Sequence, residues 1–294
     1  MPQEKKTLQQ RIESGKRIII TEIAPPENGN AALVRETAGT FSGKVHAIGV
    51  SDNRERIGMS ALVVSALVKE AGGEPILHMS TRDRNRAALS SDCLGAHALG
   101  IRNILCTSGT HQTLLPFPTV KNVFDIDATV LLQHCRELER KAGMEVPFCL
   151  GAVASPFADP AELQLVRLAQ KVHVGAGFFV TQPVFDVERF GTWCKEIVSR
   201  QLHTKAACIA GVQIVTDAAQ ARELAVKRPD PLLPEAVIER LEKAGDARAE
   251  GIALARETIE KVLSFEGVRG ISVICDEDPT AVLEVLDSME SDLE

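Results

Sequence analysis

An α/β chain folded as a single (β/α)8 barrel is what the sequence predicts, on three observations. Eight short apolar runs alternate with segments of helical spacing. Nearly all the runs are continuous in apolarity rather than alternating, as parallel strands buried on both faces require. No GxGxxG or GxxxxGKS/T follows the first run, which removes the commonest sequence reasons to prefer an open doubly wound sheet. Eight strands suit a closed barrel better than an open sheet, and the 294 residues are an ordinary length for one such domain. Gly/Pro/Ser-rich linkers are missing, so one domain over 1–294 is expected, ending in a short acidic tail from about residue 288.

In chain order the strands are RIIITEI, VHAIGVSDN, PILHMS, NILCTSG, PFCLGAV, FFVTQ, AACIAGVQI and GISVIC. They start near positions 17, 45, 75, 103, 147, 178, 206 and 270. Helical spacing covers Asn30 to Thr40, Gly58 to Ala71, Arg84 to Leu99, Ala128 to Ala142, Pro160 to His173, Val187 to Arg200 and Ala218 to Val226. A longer stretch, Pro234 to Leu263, reads as two helices broken near Gly245. Asp127, Asp159, Asp186 and Thr216 stand where N-caps belong.

Composition narrows the function. A net charge of −7 and a pI near 5.6, with no run of Lys or Arg, argue against a nucleic-acid surface. No apolar segment approaches the roughly 18 residues that span a bilayer, and the polar start MPQEKKTLQQRIESGKR lacks a signal-peptide core, so a cytoplasmic protein off the membrane is expected. The seven cysteines lie far apart with no CxxC, which suggests reduced, mostly buried thiols rather than a zinc knuckle or a disulfide framework. His, Cys and carboxylates do not recur at ligand spacing, so no protein-bound metal is expected. A GxSxG elbow is absent as well.

In a barrel the chemistry sits at the carboxyl ends of the strands. Glu22 closes the first run there, and polar groups recur at Ser51 to Asn53, His78 to Thr81, Thr107 to His111, Thr181 and Gln182, and Gln213. Each could be a turn or cap satisfied by backbone. Glu22, flanked by Ile20, Ile23 and Ala24, would be costly to bury without a task or a cationic partner, and apolar surroundings are expected to keep it protonated as a general acid. His78 reads either as a core histidine bonded to a carbonyl or as a rim group contacting a cofactor. TRDRNR, Thr81 to Arg86, reads either as a solvated, self-paired charge run or as a clamp for a phosphate or carboxylate. TSGTHQ, around Gly109, suits close approach of a planar ring or a phosphate.

TEIAPP, SDN, HMSTRDRNR, GAV with SPFADP, KVHVGAGFFVTQPVFDVERF and EGIALARETIEKVLSFEGVRGISV, in that order, resemble the methylenetetrahydrofolate reductase family from about Leu8 to Val285. The sixth-strand block is the most specific part. The chain is especially similar to the short, barrel-only reductases of anaerobic one-carbon metabolism. The resemblance implies hydride transfer through a non-covalent flavin between 5,10-methylenetetrahydrofolate and 5-methyltetrahydrofolate, a step linked to methionine biosynthesis. NAD(P)H or another electron donor would recharge the flavin. It implies FAD, with FMN as the other candidate, a homo- or hetero-oligomer, and an iron–sulfur and zinc-binding partner protein. Carried over by residue, Glu22 matches the catalytic acid and Gln182 the glutamine that hydrogen-bonds the folate ring. His78 and Lys171 match flavin contacts, and Asn53 with Ser108, Gly109 and Thr110 falls in flavin-contacting loops.

The chain also departs from the family pattern. Thr110 replaces an aspartate beside flavin and folate, which implies a more easily reduced flavin, and Ser108 replaces an arginine. Acidic and aromatic contacts to the adenine half find Gln164 and no tyrosine, and an aromatic clamp over the folate meets Ala218. These losses leave two rivals in view: a flavin-independent, pterin-binding methyltransferase barrel, and a non-catalytic folate- or flavin-binding subunit of an electron-transfer complex.

Overall fold

A computed structural model describes residues 6–54, 56–115, 119–227, 233–275 and 278–289. The strands are β1 (Ile18–Ile23), β2 (Ala47–Val50), β3 (Pro75–Ser80), β4 (Asn103–Thr107), β5 (Cys149–Ala154), β6 (Phe178–Pro183), β7 (Ala207–Gln213) and β8 (Val268–Ile274). They run parallel and close in that order into a (β/α)8 barrel, the predicted architecture. Their residues are buried almost without interruption, which is why the runs read as continuous apolar stretches.

Between the strands lie α2 (Ala31–Phe41), α3 (Ala61–Glu70), α4 (Arg86–Ala98), α5 (Ala128–Ala142), α6 (Ala161–His173), α7 (Val187–Ser199), α9 (Ala218–Lys227), α10 (Glu235–Lys243) and α11 (Ala247–Ser264). Three further helices were not foreseen: α1 (Leu8–Glu13), α8 (Leu202–Lys205) and α12 (Pro279–Asp287). The first is a single polar turn and a half, held by a reciprocal capping box between Thr7 and Gln10. The last carries proline in its first turn, and the Asp278 carboxylate accepts from the N–H groups of Thr280 and Ala281. Met289 just beyond it is buried, so the expected tail from Ser288 is not all solvent-facing; its remainder, 290–294, lies outside the described residues. Asp127 and Asp186 cap their helices as read. At α9, however, the cap is Asp217 rather than Thr216. Its Oδ1 accepts from Ala219 and Gln220, while the Thr216 N–H donates to the Gln220 side chain.

The chain divides into two compact units. The first holds the described residues of 1–16, 23–152 and 170–177. There β3 and β4 pair with His78 opposite Leu105. Met79 Sδ lies 3.8 Å from Cys93 Sγ of α4, so Leu77 and Met79 face the helices and Ile76, His78 and Ser80 face the other way. Cys93 Sγ is 3.7 Å from Cys135 Sγ of α5, which is in turn hydrogen-bonded to the Cys106 thiol of β4. All seven cysteines are free and buried. The bond to Cys135, with burial, pushes the Cys93 thiol far up, and burial pushes Cys149 up to about 12.

The second unit holds the described residues of 17–22, 153–169 and 178–294. Phe179 of β6 meets Trp193 of α7 edge-on at 6.2 Å, and Trp193 stacks on Phe190 at 5.5 Å. Each fully buried ring contributes about 1.5–3 kcal/mol. Cys208 of β7 pairs with Phe179, whose ring meets α7, so Cys208, Ala210 and Val212 face the helices and Ile209, Gly211 and Gln213 face away. Thr21 and Val212 both pair with Val273, and Gln213 pairs with Ile274.

Candidate functional site

In the first unit three loops leave the carboxyl ends of β2, β3 and β4, and arginines from TRDRNR tie them together. Arg82 is 1% exposed. Its guanidinium grips Asp83 through Nε (2.7 Å) and Nη2 (2.6 Å), and donates to the carbonyls of Asn53 (2.9 Å) and Thr110 (3.2 Å). The Arg82 carbonyl accepts from Val123 at 2.7 Å. Arg84 forks onto Asp52 at 2.5 and 3.1 Å and pairs with Asp92 through Nε at 2.9 Å. Arg82 is therefore paired within the run, as one reading held, while Arg84 pairs outside it, and these two guanidiniums are buried or half-buried rather than solvated. Burial alone would raise the Asp83 carboxyl; the bond and charge of Arg82 outweigh it and hold it below the ordinary 3.8.

This lattice sets the backbone that the resemblance assigns to a flavin. Asn53 has φ of 45°, and its Oδ1 accepts from Gly58 at 3.4 Å. Gly109 has φ of +81°, and a Cβ there would collide with Ser80 Oγ and press on Arg82, so only glycine lets the loop close over β3. Ser108 Oγ accepts from the first N–H of α5, while its carbonyl accepts from Ser80. The Thr110 side chain is exposed. Next to it the exposed rings of His111 and Phe124 stack at 6.2 Å with an interplanar angle of 21°. Phe124 has φ of 41°, a left-handed backbone that costs a non-glycine residue about 1–3 kcal/mol and collects at functional sites.

His78, half-buried, stands two residues before the end of β3. Lys171 is placed differently. It lies in the last turn of α6, and Gly177 just beyond bonds to Leu150 at the start of β5. That is the amino end of β5, away from the strand ends that carry Asn53 and Ser108 to Thr110.

In the second unit Glu22, half-buried, follows Thr21 on β1, so it and Gln213 stand on either side of Ile274 and share its face, turned away from α7. Two strand spacings put their Cα atoms about 10 Å apart. At the end of β6 the register with β7 shifts between Val180 and Pro183. Thr181 Oγ1 accepts from Gly211 N at 2.9 Å and donates to the Gln182 carbonyl at 2.8 Å. A Cβ on Gly211 would lie 2.6 Å from the Thr181 carbonyl oxygen, so glycine is what admits this bulge. Gln182 lies within this shift, between Val180, which pairs with Ile209, and Pro183, which pairs with Gly211. Ala218, where an aromatic clamp was sought, opens α9 and packs on Val215, Ala221, Ile238 and Leu241 together with Phe185.

Sequence reading missed Phe124 and the fate of Arg82. A ring 13 residues from its partner leaves no periodic signal, and arginine reads as surface by default.

The family model described as methylenetetrahydrofolate reductase matches residues 7–290. A probable methylenetetrahydrofolate reductase (NADPH) of Caenorhabditis elegans is 25% identical over 152 residues, 49% of this chain and 22% of that protein, so the match spans about a fifth of the relative's length. Among solved structures, an uncharacterized protein from Clostridium thermocellum that binds two copies of 5-methyl-5,6,7,8-tetrahydrofolic acid superposes with a TM-score of 0.69 at 13% identity, covering 97% of this chain and 98% of that one. An EDTA monooxygenase from Chelativorans sp. BNC1 superposes at 0.53 and 9% identity, covering 95% and 93%. At such identities these two likenesses speak to the fold alone.

Proposed function

Because the chain belongs to the methylenetetrahydrofolate reductase family, we propose that it is an oxidoreductase interconverting 5,10-methylenetetrahydrofolate and 5-methyltetrahydrofolate, with hydride passing through a bound flavin. The observation that carries this reading is the place of Glu22: a half-buried carboxyl at the carboxyl end of β1, on a face it shares with Gln213, in a chain matched to the family over 7–290. Glu22 donates a proton to the side-chain nitrogen of the one-carbon bridge, whose bond to the bridge carbon breaks and leaves an electrophilic iminium on the pterin nitrogen; in the other direction its carboxylate takes that proton back. Gln182, within the bulge at Thr181, offers both a donor and an acceptor to the ring edge.

The residues present fit a flavin. Asn53, His78 and Ser108 to Thr110 would hold it, on loops that Arg82 keeps in place, and the exposed His111–Phe124 pair offers a flat apolar face to a planar ring in a chain without tyrosine. When bound, the flavin would supply a two-electron carrier between folate and donor. FAD is the first expectation and FMN the second. The role given to Lys171 has the least support, since its helix turn lies by the amino end of β5. NAD(P)H or another donor, an iron–sulfur and zinc partner protein, an oligomeric assembly and a cytoplasmic setting belong to this same reading.

Purified protein should show visible flavin absorption that bleaches when 5-methyltetrahydrofolate is added without oxygen. A colourless protein that still binds 5-methyltetrahydrofolate would overturn the reductase and select a flavin-independent methyltransferase barrel. A flavin that no folate reduces would select a non-catalytic subunit.

A further inference from the structure

Gln213 is the strand-end polar group that the proposed reaction leaves without a task. It is the last residue of β7, and its Oε1 is buried and accepts no hydrogen bond among the described residues. An amide carbonyl in that position costs about 1–3 kcal/mol unless something supplies a donor. A fold that needed only packing there would do better with leucine or methionine. The side chain points to the face opposite α7, the face of Ile274 and Glu22, and Glu22 lies about two strand spacings away at the same level. Next in the sheet, beside Gly211, is the bulge that contains Gln182. Three polar residues at the ends of β1, β6 and β7 therefore stand at one end of the four-stranded sheet of this unit. Two of them are primary amides, each carrying one acceptor and two donor hydrogens.

We propose that Gln213 is a second substrate-recognising amide, whose Oε1 accepts a hydrogen bond from an N–H donor on the edge of the bound pterin. This rests on the folate reading above and deepens it. A reduced pterin carries adjacent ring N–H, exocyclic amino and carbonyl groups, an amide-like edge that one glutamine can engage only in part. A pair of glutamines on neighbouring strands can read donors and acceptors at once. The arrangement makes Gln213 a specificity residue: it favours a ring with a donor at that position and penalises one without, because the carbonyl would again be stranded.

The test is calorimetric titration of 5-methyltetrahydrofolate into wild type, Gln213→Met and Gln213→Leu, with thermal melts of all three in the absence of folate. The expected result is a Kd about 10-fold to 100-fold weaker in both variants, the worth of one hydrogen bond in a desolvated site, with melting temperatures equal to or above wild type because a stranded acceptor has been removed. Unchanged affinity in either folded variant overturns the proposal. So does a lower melting temperature in both variants, which would mean that the amide has its partner inside the fold. If wild type itself binds no folate, the proposed function fails first, and the melts still decide whether Gln213 is stranded in the free protein.

Discussion

Replacing Arg82 with methionine keeps the aliphatic stem and removes a guanidinium that is 1% exposed and spans three loops. The loss has two parts. The carbonyls of Asn53 and Thr110 each lose a charged donor, worth about 1.5–3 kcal/mol apiece. Thr110 is an exposed residue, so its carbonyl recovers water and that share falls toward the lower end. Asp83 loses a two-point partner; its side chain is 20% exposed, which lets water take over part of the bond and leaves about 1 kcal/mol. The expected destabilisation is about 4 kcal/mol, a large fraction of the ~5–15 kcal/mol that holds an ordinary protein folded. In a urea titration it would appear as a midpoint about 1 M lower, given a slope near ~3 kcal/mol/M for a chain of this size. Arg82→Lys should recover little, because one ammonium cannot fork onto a carboxylate and reach two carbonyls. Adding Asp83→Asn to Arg82→Met should cost less than the two single changes summed. Acid dependence gives a further check. Asp83 is held below its ordinary 3.8, so it contributes stability that is fully present above about pH 4 and lost as pH falls below 3.8. Without Arg82 only the Asn53 hydrogen bond and the Arg84 charge oppose burial, so the depression shrinks and the acid branch of the stability curve should flatten. A midpoint shift under about 0.3 M, or an unchanged acid branch, would refute the account of Arg82 as the tie between these loops.

Glu22→Gln should leave flavin bound and reducible by the electron donor while folate turnover falls by about two to four orders of magnitude, measured by stopped-flow half-reactions; near-normal turnover would remove Glu22 from the chemistry. Gln182→Ala should weaken folate binding by about 1–3 kcal/mol in the same titrations used for Gln213, with flavin reduction by the donor little changed; equal damage to both half-reactions would point to packing around the Thr181 bulge instead. Thr110→Asp should lower the flavin potential by some tens of millivolts, at about 30 mV per 1.4 kcal/mol of added repulsion in a two-electron couple. A spectroelectrochemical titration showing no shift would place residue 110 away from the isoalloxazine.

The barrel could be read from the chain because the strands bury both faces and several helices carry their own start signal. Asp127, Asp186 and the break near Gly245 are local features, visible within a turn of sequence. The position of Glu22 followed from the same logic, an acid at the end of an apolar run. What escaped depends on pairings across distance. Gln182 lies within a register shift that needs Gly211, 29 residues on, and neither residue announces it alone. Arg82 looked like a surface charge because its acceptors are main-chain carbonyls at Asn53 and Thr110, and carbonyls have no letter in the sequence. The cap at Asp217 was misplaced by one residue because Thr216 and Asp217 are both competent caps, and the Gln220 side chain takes the Thr216 N–H.

Seven thiols, none on the surface, make the protein chemically quiet as long as it stays folded. Cys93, Cys135 and Cys208 are pushed far up, and Cys149 and Cys194 to about 12, so these five present almost no thiolate at neutral pH to an alkylating reagent or a peroxide. Modification must then wait for opening, and its rate becomes a clock for local unfolding. Cys93, Cys106 and Cys135 time the separation of α4 and α5 from β3 and β4, whereas Cys194 and Cys208 time the separation of α7 from β7. Peptide-resolved labelling would thus read the two halves of the chain on separate clocks in one sample, with no engineered probe.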